Sequence, residues 1–223
     1  MPVLLQPKAP FASDAILVGD PGRALLLAQE LLEQPKMCNH ARGLWGYSGM
    51  TEANRELTIQ ATGVGAPSAA AVLADLAELG VRRAVRVGTA TGFDEQSRLG
   101  DLLLVAEAEA TEGSASAFGI RTGETVAPDP DLLGRLAEAV AGGARTARIV
   151  SVDTLPDPRS GGSGAAAADM QTLAVLARGN ALGIATAALL AVVETSAGAL
   201  LTGKQLDEAA RRAGRAAQAA LSP

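Results

Sequence analysis

Short apolar runs alternate along the chain with segments in which leucine and alanine recur at helical spacing, and turns rich in glycine and proline separate the two. Residues 15–18 form the first apolar run, which ends at Gly19-Asp20-Pro21-Gly22 and is followed by helical spacing over residues 23–33. The succession recurs, with a strand predicted over residues 57–61 and, after a turn, a helix over residues 69–79. The opening part of the chain therefore predicts repeated strand–turn–helix units.

The rest of the chain continues this alternation. Further strands are predicted over residues 84–87, 102–106, 147–152 and 184–193, and further helices near residues 130–140, near 170–177 and over 202–221. Strands that alternate with helices predict an α/β fold with a largely parallel sheet that is covered by helices on both faces. Residues 156–168, which are rich in Pro, Gly, Ser and Ala, are the one stretch predicted to be mobile.

Length and composition narrow the class of protein. With 223 residues, of which 48% are hydrophobic, the chain predicts a single domain over residues 1–223. The formal net charge is −5 and the charges are dispersed, so no nucleic-acid partner is expected. The N-terminus lacks a signal-peptide pattern and the apolar stretch 181–193 is too short to span a membrane, so we expect no membrane contact and a cytoplasmic location.

Arginines beside turns are the strongest chemical feature of the sequence. Arg23 lies at the start of a predicted helix, where free backbone N–H groups and the helix dipole favour an anion. Arg86 lies inside an apolar strand and needs an acceptor; phosphate fits its forked donors, and an internal acid such as Asp75 or Glu78 is the alternative. Thr89 follows this strand, at the edge where open α/β sheets bind ligands.

Other motifs are weak or incomplete. Residues 63–68 resemble the start of a dinucleotide-binding turn, but Ser68 replaces the third glycine and no acid ends the next strand. Cys38 and His40 have no further partners for a metal site, and no serine or cysteine has the setting of a hydrolase nucleophile, so neither is expected. Glu194, at the end of the last predicted strand, is either a general acid or a solvated strand-end carboxylate.

An ordered series of motifs runs through most of the chain. It comprises GDPGRA at 19–24, RGLWGYSG at 42–49, TGVGAPS at 62–68, VRVGT at 85–89, GDLLLV at 100–105, DMQ at 169–171 and VVE at 192–194. Together these motifs resemble the purine nucleoside and uridine phosphorylase family over about 180 residues, as a divergent member. The resemblance implies a twisted, mixed and partly closed central sheet flanked by helices, and assembly into homo-oligomers, either dimers or hexamers built from dimers.

The same resemblance implies phosphorolysis of a purine or pyrimidine nucleoside. In this reaction inorganic phosphate, as co-substrate, attacks the anomeric carbon and releases the free base and ribose 1-phosphate, and no cofactor is needed. The positions that match the family's phosphate ligands are Gly19, Arg23, Arg86 and Thr89, and Arg42 matches an arginine that a neighbouring subunit donates.

The sugar-binding positions depart from the family pattern. The family's Glu-Met-Glu, which holds the ribose hydroxyls, is Asp169-Met170-Gln171 here, so the resemblance assigns Met170 and Gln171 to ribose. An amide accepts a hydrogen bond from a hydroxyl more weakly than a carboxylate does. The family's N-terminal histidine, which reaches the sugar's 5′ hydroxyl across the dimer, is missing, and Pro2-Val3-Leu4 stands in its place.

The base-binding positions are altered as well. The resemblance assigns Ala90, Thr91 and Leu155 to the base, with Thr91 in place of a glycine and Leu155 in place of an aromatic residue that stacks on the base. Glu194 matches the aspartate that protonates a purine ring nitrogen, and it extends that acid by one methylene.

The sequence is compatible with three functions. The first is a pentosyltransferase of the nucleoside phosphorylase type, with the arginines holding phosphate and Glu194 as the acid. The second is a hydrolytic nucleosidase in which water replaces phosphate, although a water site gains nothing from several cationic groups. The third is a catalytically altered or inactive homologue that binds phosphate or a nucleoside-like ligand, and the altered sugar and base positions favour it.

Overall fold

The computed structural model describes residues 2–111, 113–156 and 164–222, which form a ten-stranded sheet with helices packed against it. The strands are β1 (Asp14–Val18), β2 (Glu33–Asn39), β3 (Gly46–Met50), β4 (Glu56–Ala61), β5 (Arg83–Gly92), β6 (Leu102–Ala110), β7 (Thr125–Val126), β8 (Ala144–Ser151), β9 (Ala167–Asp169) and β10 (Ala185–Thr195). The α-helices are α1 (Pro21–Leu31), α2 (Gly65–Glu78), α3 (Pro130–Val140), α4 (Thr172–Leu182) and α5 (Gly203–Leu221). Short 3-10 turns span Ala41–Gly43 and Ser114–Phe118.

The sheet is mixed and partly closed. Its strands follow the order β10-β6-β8-β9-β5-β1-β4-β3-β2, with β7 on β6, and β10 pairs back to β5 so that one part of the sheet forms a ring. This shape confirms the fold that the motif resemblance implied. It corrects the largely parallel sheet that the alternation predicted, because β2, β3 and β4 pair antiparallel, as do β5 with β9 and β6 with β10.

A parallel group at the centre of the sheet positions the site. The strands β4, β1, β5 and β10 run side by side in parallel. Their register places Ile59, Ile16, Val85 and Ala187 in one row across the sheet, and all four residues are fully buried. Strands that are buried on both faces consist of such continuous apolar runs, which explains why these strands could be predicted from the sequence. The carboxyl ends of these strands meet at one edge of the sheet.

Helices cover both faces of this group. On one face α5 packs against α1 and α3, and on the other face α2 packs against α4. The side of α5 that faces the core is made of alanine and glycine, so that it lies close to α1; a Cβ at Gly214 would come within 2.7 Å of Leu27 Cδ2. Close helix contact of this kind explains the alanine-rich C-terminal sequence.

The predicted elements are confirmed, with β2, β3, β7 and β9 added. The strand β2 was not predicted from the sequence, because it is an exposed edge strand, EQPKMCN, with a proline and no apolar alternation. The helix predicted from residue 69 begins at Gly65, because part of the predicted turn is its first helical turn. Of the stretch 156–168 that was predicted to be mobile, residues 157–163 lie outside the described residues, and Ala167 and Ala168 are buried in β9.

Candidate active site

A cavity of about 480 Å³ lies at the carboxyl edge of the parallel strands. Its lining comes from β5, from the ends of β9 and β10 and from the turns after β1 and β4, and it consists of Gly19, Gly63, Val64, Gly65, Arg86, Thr89, Ala90, Thr91, Leu155, Pro156, Ala168, Asp169, Met170, Gln171, Val193 and Glu194. All of the predicted site residues line this cavity except Arg23 and Arg42. Residues far apart in the sequence thus converge on one space, where parallel α/β sheets generally bind ligands.

The turn after β1 brings Gly19 to the cavity but offers few free N–H groups. The Asp20 side chain accepts the Arg23 N–H at 2.8 Å, and the Asp20 carbonyl accepts the Ala24 N–H at 3.1 Å. Pro21 has no N–H to offer. The N–H groups that the sequence predicted to be free for an anion are therefore largely occupied by Asp20, which is itself negative.

The Arg23 side chain is the free cation of this turn. It is half-buried, and its guanidinium has no hydrogen-bond acceptor within the part of the chain that the structure describes. Burial lowers the pKa of Arg23, the charge of Asp20 raises it, the charge of Arg86 lowers it further, and the charge of Asp207 raises it. The guanidinium stays charged because its ordinary pKa is so high. Arg23 can therefore offer unshared donors to an anion beside Arg86.

The N-terminus of α2 is a second group that attracts an anion. Its cap residue, Val64, makes no side-chain hydrogen bond to the helix, whereas α1 is capped by a carboxylate. Val64 and the first helical residue, Gly65, both line the cavity. The positive end of a helix dipole that no acid neutralises favours negative charge nearby. The helix start with the greater capacity for an anion is therefore that of α2 rather than that of α1.

Arg86 is paired inside the protein. Its Nη2 lies 2.7 Å and its Nε 3.2 Å from Asp169 Oδ2, and its Nη1 donates to Gln171 Oε1 at 2.8 Å. The two charged side chains are 5% and 0% exposed. One N–H on each of Nη1 and Nη2 has no acceptor in the described residues. Arg86 can thus still donate two hydrogen bonds into the cavity, but its charge is already balanced.

A glycine makes room for this arginine. A Cβ added at Gly88 would lie 2.7 Å from Arg86 Nη2 and 2.8 Å from its Cζ. The guanidinium therefore lies across the backbone of its own strand at Gly88. Any larger residue at this position would displace it from Asp169.

Neither acid that the sequence offered as the partner of Arg86 plays that role. Asp75 instead accepts the backbone N–H groups of Val3, Leu4 and Leu5 at 2.6–2.8 Å. It thereby fixes the N-terminal segment against α2. The prediction that an internal acid pairs with Arg86 was correct, but the acid is Asp169.

Asp169 is saturated with hydrogen bonds. Besides Arg86, its carboxylate accepts from the Thr172 hydroxyl at 2.7 Å, from the Ser151 hydroxyl at 2.6 Å and from the backbone N–H groups of Gln171 and Thr172 at 3.0–3.2 Å. Because Thr172 and the residues after it form α4, Asp169 both balances Arg86 and anchors the start of that helix. Its capacity to accept further bonds is spent.

Gln171 is equally engaged. Its Oε1 accepts from Arg86 and lies 3.0 Å from the Thr62 hydroxyl, while its Nε2 donates to the carbonyl oxygens of Gly63 at 2.7 Å and Gly65 at 3.2 Å. The side chain is buried, with 3% of the residue exposed. It therefore connects Arg86 to the turn that starts α2.

Glu194 forms the opposite wall together with Thr91. The pairing of β10 with β5 shifts between Val192 and Glu194, so that Val193 is an extra residue and Glu194 faces Thr91. The Thr91 hydroxyl donates to Glu194 Oε2 at 3.2 Å. Glu194 is half-buried and makes no ion pair with any described residue. Such bulges are common beside active sites, where they redirect a side chain.

The remaining predicted residues lie at the rim or outside it. Leu155 is 83% exposed and, with the 78% exposed Val64, gives the cavity mouth an apolar rim. Thr89 is half-buried, and its hydroxyl has no partner among the described residues. Arg42 is exposed, in the 3-10 turn Ala41–Gly43, with φ +57°. Arg42 does not line the cavity of its own chain.

Sequence reasoning missed the supporting residues of the Arg86 network. Thr62, Ser151 and Thr172 are buried hydroxyl residues; Thr62 follows β4, Ser151 ends β8 and Thr172 begins α4. A threonine just after an apolar run is weak evidence for a binding site, since threonine also stands at the ends of many strands that bind no ligand. The position of Asp169 next to Met170 and Gln171 was visible, but its contact with Arg86, 83 residues away in sequence, was not.

A family model described as the phosphorylase superfamily matches residues 13–222. The chain belongs to this superfamily. The match covers nearly all of the chain and confirms the family resemblance that the motifs carried.

Curated relatives of this phosphorylase-superfamily protein include two named DeoD-type purine nucleoside phosphorylases. That of Clostridium perfringens (strain ATCC 13124) is 39% identical over 95 residues, which are 42% of this chain and 40% of the relative. That of Lacticaseibacillus casei (strain BL23) is 36% identical over 109 residues, which are 48% of this chain and 45% of the relative. The chain thus spans less than half the length of the curated relatives it matches.

Among solved structures, the fold is similar to that of a purine nucleoside phosphorylase from Toxoplasma gondii in complex with immucillin-H. The TM-score is 0.85, with 98% of this chain and 96% of that chain covered at 22% identity, which shows a shared fold. In the described residues, no helix has both the length and the apolar character that crossing a membrane requires.

Proposed function

We propose that this phosphorylase-superfamily protein is a nucleoside phosphorylase, a pentosyltransferase that cleaves purine nucleosides with inorganic phosphate as co-substrate and no cofactor. One observation carries the proposal: residues that match the family's phosphate, sugar and base positions meet in one cavity, together with the carboxylate of Glu194. The names of the curated relatives support the purine class. The apolar rim formed by Val64 and Leu155 suits the flat face of a base.

Phosphate binding is assigned to the groups around Arg86. Arg86 supplies its remaining N–H groups, Arg23 supplies a guanidinium that no described residue hydrogen-bonds, and Thr89 supplies a hydroxyl without a partner among the described residues. The uncapped N-terminus of α2 adds its dipole. Because Asp169 balances Arg86, we expect Arg23 to supply the larger share of the electrostatic attraction within one chain.

Arg42 is assigned to the phosphate of a neighbouring subunit. Its side chain is exposed, lies outside its own cavity and projects from a turn with a left-handed backbone conformation. These features fit the cross-subunit role that the family resemblance implies. The proposal therefore includes a homo-oligomer in which each site is completed by a partner.

Glu194 is assigned as the general acid. As a phosphate oxygen bonds to the anomeric carbon, the glycosidic C–N bond breaks and its electron pair leaves with the base. Glu194 delivers a proton to a ring nitrogen of the departing base, and the proton that phosphate releases returns through solvent to Glu194. A positioned acid of this type accelerates such reactions by about 10²–10⁴-fold.

A turnover screen tests the proposal. Inosine, adenosine, guanosine, uridine and thymidine are each incubated with the full chain, with and without phosphate, and free base and ribose 1-phosphate are quantified. We expect phosphate-dependent release of a purine base with one ribose 1-phosphate per base. Absence of turnover with any nucleoside, while calorimetry shows phosphate binding, would instead identify a non-catalytic homologue.

Hydrolysis is the second candidate. The Arg86–Asp169 pair favours it, because a balanced ion pair attracts a phosphate dianion less than a free arginine does. The same screen separates the two reactions. Base release at equal rates with and without phosphate, yielding free ribose, would establish the hydrolytic reaction.

A further inference from the structure

Gln171 occupies the position that the family resemblance assigns to the sugar, yet both atoms of its amide group contact partners within the chain. The Nε2 group donates both of its hydrogens, to Gly63 O and Gly65 O. The Oε1 atom accepts from Arg86 Nη1 and lies 3.0 Å from the Thr62 hydroxyl, whose single hydrogen is shared between this oxygen and Val18 O at the same distance. An amide offers two donors and two acceptor sites: both donors and one acceptor site are matched by partners within the chain, and the second acceptor site lies against the Thr62 hydroxyl.

The partners also fix which atom of the amide is which. Carbonyl oxygens only accept, so the atom between Gly63 O and Gly65 O must be the nitrogen. A guanidinium only donates, so the atom beside Arg86 must be the oxygen. A carboxylate could not replace this amide, because it would face two carbonyl oxygens with no hydrogen to share.

The neighbouring acid has no free capacity. Asp169 accepts bonds from Arg86, Thr172, Ser151 and the backbone, and it is 2% exposed. Met170, between the two, has an apolar side chain that lines the cavity. The side-chain oxygens of residues 169 and 171 thus all lie against donors or hydroxyls of the chain itself and not toward a sugar.

We propose that Gln171 is a positioning residue: a latch that fixes the N-terminal turn of α2 to Arg86 and does not hydrogen-bond to the sugar. The latch holds Gly63 and Gly65, and through them the uncapped helix start at the cavity, and it orients the Arg86 guanidinium. Its predicted effects on turnover rest on the proposed function. Its structural effect does not.

The first test measures the turn itself. Gln171→Met keeps the length of the side chain and removes the four contacts, and Gln171→Glu replaces the amide by the family's carboxylate. We expect deuterium exchange of peptides that cover residues 62–68 to rise at least about tenfold in both variants. The control, Gln205→Met, changes an exposed glutamine of α5 and should leave this exchange unchanged. Unchanged exchange in Gln171→Met would overturn the latch.

The second test separates a latch from a sugar ligand. The kcat/KM values of inosine and 2′-deoxyinosine are measured for the natural chain, Gln171→Met and Gln171→Glu. If Gln171 is a latch, Gln171→Met lowers both kcat/KM values together and raises the KM for phosphate. The ratio of kcat/KM for inosine to that for 2′-deoxyinosine then stays unchanged within about twofold. A ratio that changes more than about tenfold in Gln171→Met, or that rises toward the ribonucleoside in Gln171→Glu, would show that residue 171 contacts the sugar.

The two tests keep the two proposals apart. If none of the nucleosides of the turnover screen and neither inosine nor 2′-deoxyinosine is turned over by any of the proteins, the proposed phosphorolysis fails, and deuterium exchange together with calorimetric titration of inorganic phosphate still decides the latch. A latch then predicts weaker phosphate binding in Gln171→Met than in Gln205→Met. Either unchanged exchange or equal phosphate affinity in these two variants would overturn it.

Discussion

Two walls of the cavity differ in how fully their polar groups are occupied. In the Arg86 wall, formed by Arg86, Asp169 and Gln171, every side-chain oxygen accepts a hydrogen bond, and among these three side chains it is the guanidinium that has donors without an acceptor in the described residues. In the Glu194 wall, formed by Thr91 and Glu194, one hydrogen bond of 3.2 Å joins the two side chains, and no cation in the described part of the chain pairs with the acid. A saturated wall fixes geometry, whereas an unsaturated carboxylate is free to exchange a proton.

The difference follows from what each wall is made of. The Arg86 wall is buried, and a buried charge must be paired and hydrogen-bonded to be tolerated. Glu194 stands on a bulge at the mouth of the sheet, where water can satisfy its second oxygen. We therefore expect changes in the first wall to act mainly on stability and changes in the second wall to act mainly on rate.

The largest effect on stability is expected from Asp169→Ala. Removal of this carboxylate leaves Arg86 buried without its counter-charge, which typically costs about 3–5 kcal/mol of the free energy of unfolding. Urea denaturation measures the loss. The comparison variant is Asp94→Ala, since Asp94 pairs with Arg145 in a pair whose side chains are each 33% exposed. That pair should contribute less than about 1 kcal/mol, and equal losses in both variants would contradict the contrast.

The largest effect on rate is expected from Glu194→Gln. The amide keeps the shape of the side chain but cannot deliver a proton, so kcat for the purine nucleoside should fall at least about a hundredfold. The midpoint of urea unfolding should stay close to that of the natural chain. A kcat that falls less than about threefold would remove Glu194 from the role of acid.

A smaller effect on binding is expected from Arg23→Ala. The loss of charge-assisted hydrogen bonds to phosphate, each worth about 1.5–3 kcal/mol, should raise the KM for phosphate at least about tenfold. The KM for the nucleoside should change little. Arg135→Ala on α3 removes the same charge from an exposed position and serves as the control. A similar rise in both variants would show that net charge, and not the site, sets the affinity.

The smallest effect is expected from Thr91→Val. Loss of one hydrogen bond to Glu194 should lower kcat by about threefold to tenfold while leaving the KM for phosphate unchanged. Thr91→Ser keeps the hydroxyl and should restore most of the rate. If Thr91→Ser loses as much activity as Thr91→Val, the hydroxyl alone does not account for the effect, and packing at this buried position contributes.

The fold was readable from the sequence where burial produced a strong pattern. The four parallel strands and their helices appeared as apolar runs and helical spacing, since both faces of these strands are covered. The strands β2 and β9 were hidden for opposite reasons. The edge strand β2 is mostly exposed and polar, and β9 is three residues long within a stretch rich in alanine and glycine. Short or exposed strands leave too few buried positions to set a pattern.

The site was readable as a set of residues but not as a set of contacts. Motif spacing identified Gly19, Arg86 and Glu194 as site residues, and the structure places all three on one cavity. Motif spacing did not show that Asp169 balances the charge of Arg86, or that Glu194 faces Thr91 across a bulge. Such contacts join strands that are distant in the chain, and a bulge shifts the register by one residue without a mark in the sequence.

By itself, the sequence determined the succession of strands and helices, the family and the identity of most residues in the cavity, because apolar periodicity and turn residues act over a few neighbouring positions. The tertiary structure alone decided which of those residues are already occupied. Whether an arginine is free for phosphate, or an amide for a sugar, depends on partners that only folding brings within 3 Å, as it does for Gln171 and Arg86. Burial then requires those partners, since an unpaired polar group away from water is costly.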